Sequence, residues 1–157
     1  MESAERIELV IPSQLKYLTV VGACVAELCQ HIEGLEDAEQ MAYNVQLAVH
    51  EGVANVIQHA YDNQPGFQVT LVFTLKPFSF EIEIRDQGKG FDLAATIDQE
   101  MTQAERLESA MGEGDFSLEL MGERQRGLLL MTQLMDEVSY QRDKEQGNRL
   151  CLVKRWA

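Results

Sequence analysis

The feature that most constrains this chain is a change of hydrophobic period near its middle. From residue 15 to 60 apolar residues recur every three or four positions; from residue 67 to 84 they recur every second position. Leu15, Leu18, Val21, Val25, Leu28 and Ile32 mark a helix over 14–33, with Ser13 as its N-cap and Gly34 at its end. Met41, Val45, Ala48, Val49, Val53, Val56, Ile57 and Ala60 mark a second helix over 37–61. The turn residues Asp62-Asn63-Gln64-Pro65-Gly66 end it. Alternation then places strands over 67–75 (Phe67, Val69, Leu71, Phe73, Leu75) and 79–85 (Phe80, Ile82, Ile84). Lys76-Pro77 joins them as a hairpin.

The rest of the chain fits around this switch. Residues 6–11 read as a first strand. Residues 92–125 are acidic and rich in Met, Gly and Gln, with weak apolar spacing, so they read as a lid-like segment. A short apolar helix over 127–135 follows, then strands over 137–142 and 149–154 around a turn at 144–148. Strands in hairpins and helices in a pair predict an α+β two-layer sandwich. About three helices would cover one face of a mixed, mostly antiparallel sheet. At 157 residues the chain is read as one domain, 1–157.

Charge narrows the partners. The net charge is −13, from 26 acidic and 13 basic residues. Proteins that grip polynucleotides gain affinity by neutralising phosphates with Lys and Arg, so no direct nucleic-acid binding is expected. One bound nucleotide is compatible with this balance. Cys24, Cys29 and Cys151 lack zinc-site spacing and read as reduced, buried thiols. The N-terminus carries no secretory leader pattern and no apolar run reaches membrane-spanning length, so a cytoplasmic protein without a membrane segment is expected.

Three places carry residues suited to phosphate chemistry. On the second helix Leu47, Glu51, Asn55 and His59 stand four apart and share a face beside the apolar stripe. Asn offers a neutral oxygen to Mg²⁺, and Glu can deprotonate or orient a hydroxyl or water. Alone, this stripe reads first as a solvated helix edge. The second strand of the hairpin runs into Asp86-Gln87-Gly88-Lys89-Gly90-Phe91. Its glycines permit close backbone approach, and its Asp can accept from an exocyclic amine of adenine. It is neither a dinucleotide fingerprint nor a Walker A loop, and alone it is also an ordinary tight turn. The third place is Arg124-Gln125-Arg126-Gly127, before the apolar helix. A helix N-terminus with arginines suits phosphate, though a plain cap reads the same way. His31 and His50 have no partners at metal-ligand spacing, and His59 reads as packing near Asn55.

The order of these parts resembles the GHKL (Bergerat) ATP-binding fold, and within it the anti-sigma-factor serine/threonine kinases of bacterial partner-switching systems. Leu47 to Tyr61 resembles their N box, Asp86 to Phe91 their G1 box, and Gly127 to Val138 their G2 box with the segment after it. The resemblance implies ATP and Mg as cofactors. Glu51 would be the catalytic carboxylate and Asn55 the Mg²⁺ ligand. Asp86 would read the adenine amine, and Gly88 and Gly90 would shape the pocket. Arg124, Arg126, Gly127 and Asn148 would meet the nucleotide. The implied activity is phosphorylation of a serine on an anti-sigma-factor antagonist, with sequestration of an RNA polymerase sigma factor and a homodimer as a further assembly. Gln14 and Tyr17, at the start of the first helix, offer a contact for that assembly. Two departures stand out: Gln125 replaces the first glycine of the family's Gly-x-Gly, and Asn148 replaces the Thr of its Gly-Thr. They keep open an ATP-binding partner switch without phosphotransfer, and a histidine-kinase-like ATPase domain acting in trans is a third reading.

Overall fold

The computed structural model describes residues 3–90, 98, 101–102 and 123–156. Most of the lid-like segment predicted over 92–125 therefore lies outside the described residues. The elements are β1 (Glu5–Pro12), a 3-10 turn (Leu15–Tyr17), α1 (Leu18–Gln30) and α2 (Ala38–Asn55). A π-helical turn (Val56–Ala60) extends α2. β2 (Gln68–Lys76), β3 (Ser79–Asp86), α3 (Glu123–Leu134), β4 (Glu137–Asp143) and β5 (Gly147–Arg155) complete the fold.

The strands form one sheet in the order β1-β2-β3-β5-β4. All four pairings are antiparallel, so the expected mixed sheet is wholly antiparallel among the described residues. The reason is connectivity: β2–β3 and β4–β5 are hairpins, and the two helices after β1 return the chain antiparallel to it. Core burial follows the two periods. Phe80, Ile82 and Ile84 of β3 and Leu150 and Leu152 of β5 are buried against the helices. Glu83 on the opposite face pairs with Arg85 at 2.9 Å and Arg149 at 3.5 Å. Phe73 and Phe80 stack across β2 and β3, centroids 6.1 Å apart.

Helix α2 is the centre of the helical layer, packed between α1 and α3. Asp37 caps it, its Oδ1 accepting from Gln40 N–H at 3.0 Å. Gly52 lets it sit close to the sheet. A Cβ there would lie 2.7 Å from Ile84 Cδ1 and 3.1 Å from Leu150 Cδ2.

Ser13 does not cap α1 as its sequence position predicts. It is buried, and its hydroxyl donates to the Gln64 carbonyl at 3.1 Å while its N–H donates to the Phe67 carbonyl. A 3-10 turn intervenes, and α1 starts at Leu18 and ends at Gln30, before Gly34.

Candidate functional site

The site is assembled where the end of β3 lies beside the start of β5. Along β3 the alternation that buries Phe80, Ile82 and Ile84 continues to Asp86, which is 2% exposed. The period of two thus turns a carboxylate to the helix-covered face. On β5, Asn148 stands in the same phase as Leu150 and Leu152 and lies directly opposite Asp86 in the β3–β5 register.

The two side chains are joined. Asn148 Nδ2 donates to Asp86 Oδ1 at 2.9 Å and to the Gly88 carbonyl at 2.9 Å. The Gly88 N–H also donates to Asp86 Oδ1, at 2.8 Å. Asp86 Oδ2 is buried and has no hydrogen-bond partner among the described residues. Burial pushes the Asp86 carboxyl above its ordinary range, against the Asn148 and Gly88 hydrogen bonds, which hold it down. A buried carboxylate oxygen without a donor is costly, and it is a ready acceptor for a ligand N–H.

The glycines of the loop are required by space. A Cβ on Gly88 would run into the Ala60 carbonyl, the last of the π-turn. Lys89 N–H donates to that carbonyl at 3.2 Å. Gly90 has φ +76°, and a Cβ there would stand 2.7 Å from Arg142 Nε and 3.1 Å from Asn148 Oδ1. Arg142 Nη2 donates to the Lys89 carbonyl at 2.9 Å. A cleft of about 430 Å³ opens beside the loop, bordered by Gly88, Lys89, Arg142, Lys144 and Asn148.

Glu51 and Asn55 are half-buried on α2, on the rim of its buried stripe as their spacing predicts. Asn55 Nδ2 donates to the Glu51 carbonyl at 3.0 Å. That gives one N–H of the amide to the helix and turns its oxygen into the end that suits a cation. Gly127 is buried and faces both residues: a Cβ on it would lie 2.8 Å from Glu51 Oε2 and 3.2 Å from Asn55 Nδ2. The structure thus groups Glu51, Asn55 and Gly127, and separately Asp86, Gly88, Gly90 and Asn148.

Gly127 does not open its helix. α3 starts at Glu123, four residues earlier, so Gly127 sits in its second turn. A glycine lowers helix propensity but does not stop a helix that has tertiary support. The side chains of Arg124, Gln125 and Arg126 lie outside the described residues.

One residue of the site carries no functional assignment in the sequence reading. Tyr61 is buried, and its hydroxyl accepts from Gln87 N–H and donates to the Gln68 carbonyl, both at 2.8 Å. The available signal was a tyrosine closing an apolar stripe, since a buried phenol needs a partner.

Comparison with known proteins gives the family. Residues 11–154 match the histidine kinase-like ATPase domain. The chain is 29% identical over 147 residues to serine-protein kinase RsbW of Bacillus cereus (strain G9842), covering 92% of this chain and 82% of that protein. The same figures hold for serine-protein kinase RsbW of Bacillus mycoides (strain KBAB4) and of Bacillus anthracis. No helix among the described residues is long and apolar enough to cross a membrane. With a family match running over residues 11–154, the chain belongs to the histidine kinase-like ATPase domain family and is similar within it to the RsbW serine-protein kinases.

Proposed function

We propose that this protein is an ATP·Mg²⁺-dependent serine kinase that acts on an anti-sigma-factor antagonist and sequesters a sigma factor. The observation that carries the reading is Asp86 Oδ2, a buried acceptor with no donor among the described residues, at the end of a strand beside a glycine loop. The exocyclic amine of adenine supplies the donor it lacks. The close-packed backbone at Gly88 and Gly90 suits a flat base.

Bound ATP supplies the phosphoryl group, and the chain supplies position and proton handling. Glu51 accepts the proton of the attacking serine hydroxyl, or orients it. Asn55 offers its carbonyl oxygen to Mg²⁺. No group of three His, Cys, Asp or Glu side chains converges among the described residues. Mg²⁺ would thus draw its other ligands from phosphate and water, as it commonly does. Gly127 keeps α3 close to Glu51 and Asn55, and Arg124 and Arg126 in the first turns of α3 are assigned to the phosphates. Asn148, the departure from the family's Thr, supports nucleotide binding because its amide still holds Asp86.

A pull-down from the source cell with and without ATP·Mg²⁺ tests the reading. Recovery of a sigma factor in one condition and a small antagonist in the other is expected. Recovery of neither, or of the same partners in both, would count against it.

A further inference from the structure

We infer that Tyr61 is the positioning residue that gives the pocket its preference for adenine over guanine. The inference rests on the nucleotide reading of the Asp86 loop and goes beyond it, because it assigns base selectivity to a side chain outside the loop.

Tyr61 follows the π-helical turn. Its N–H donates five residues back to the Val56 carbonyl at 3.0 Å, which is what delivers the ring beneath the end of β3. π-turns of this kind are frequent at functional sites. The ring is 4% exposed and stacks on Phe67, centroids 4.7 Å apart and planes within 5°. A ring so placed has no freedom to swing. Its hydroxyl donates to the Gln68 carbonyl at the start of β2 and accepts from Gln87 N–H. Both hydrogen-bonding capacities of the phenol are therefore used on backbone.

The peptide it holds is the one that matters. Gln87 N–H belongs to the peptide joining Asp86 to Gln87, where the chain leaves β3. With that peptide pinned from below, the next N–H, of Gly88, turns back onto Asp86 Oδ1 at 2.8 Å. Asn148 takes the same oxygen at 2.9 Å. Two donors on Oδ1 leave Oδ2 as the face toward a ligand. Discrimination between adenine and guanine depends on that oxygen: adenine presents an amine that donates to it, guanine a carbonyl that it repels. Tyr61 touches no base in this scheme; it acts through the orientation of Asp86.

The test is the ratio of ATP to GTP dissociation constants for wild type, Tyr61→Phe and Val25→Ala. Tyr61→Phe keeps the ring and its stacking but removes both hydrogen bonds. Val25, buried in α1, serves as a destabilised control outside the loop. The ATP preference is expected to fall about five- to tenfold in Tyr61→Phe, the size of one lost hydrogen bond, and to hold in Val25→Ala. An unchanged ratio in folded Tyr61→Phe overturns the inference while leaving the nucleotide pocket standing. An equal fall in Val25→Ala also overturns it. Wild type without adenine preference overturns the pocket reading and the inference together. Amide exchange of wild-type protein gives an independent check that needs no variant. Gln87 N–H is expected to be protected although it follows the last residue of β3, and rapid exchange there would overturn the inference.

Discussion

Glu51 occupies the space that a side chain at position 127 would need. A Cβ on Gly127 would lie 2.8 Å from Glu51 Oε2, so any larger residue at this point has to displace that carboxylate. The obstructing atom is the tip of a flexible side chain, and it can move. Gly127→Ala is therefore expected to leave the fold intact, or to raise its stability by about 0.5–1 kcal/mol through helix propensity. The displaced carboxylate is expected to lower phosphotransfer about 10- to 100-fold, because small misplacements of a catalytic group are expensive. Thermal unfolding and phosphotransfer rates on the same preparation check both halves.

Asp86 separates stability from function in the same way. Its carboxyl is raised by burial, so the folded state holds its proton more tightly than the unfolded chain does. Stability from this group is fully present below its unfolded value and is lost as pH rises through the raised folded value. Asp86→Asn removes that loss. It is expected to melt at the same temperature as wild type or higher at neutral pH, with the difference shrinking as pH falls. It also presents an amide where the adenine amine needs an acceptor, and ATP affinity is expected to fall about tenfold or more, by one charge-assisted hydrogen bond. Calorimetric titration at pH 7.5 and melting curves across acidic pH test this pair of outcomes.

Asn148→Ala removes the amide that bridges Asp86 and Gly88. A buried bridge of this kind is worth about 1–3 kcal/mol when one partner is deleted. Since the Asn148 hydrogen bond holds the Asp86 carboxyl down, its loss lets that carboxyl rise further. ATP binding, which needs the ionised form, should then weaken at a higher pH than in wild type. The pH dependence of the ATP dissociation constant for the two proteins measures that shift.

Much of this site was legible before the structure. Phe80, Ile82 and Ile84 set a phase that Asp86 continues, so a carboxylate on the core side was implied by alternation alone. Glu51 and Asn55 were legible from four-residue spacing beside an apolar stripe. Three features were not. The π-turn at Val56–Ala60 adds a residue to a helical turn that apolar spacing reads as a continuous helix, and this is what sends Tyr61 under β3. The start of α3 at Glu123 is hidden because Glu123–Arg126 carries no apolar residue to reveal a period. The role of Ser13 as a brace to Gln64 depends on a contact 51 residues away, which local cap rules cannot see.

Labelled γ-phosphate transfer to the antagonist that co-purifies with this chain, compared for wild type and Glu51→Gln at matched ATP occupancy, tests the central claim most directly. The account predicts label on a serine with wild type, and loss of about 100-fold or more with Glu51→Gln, the scale of a positioned general base. Equal labelling by both proteins, or ATP bound by wild type with no transfer, would contradict it.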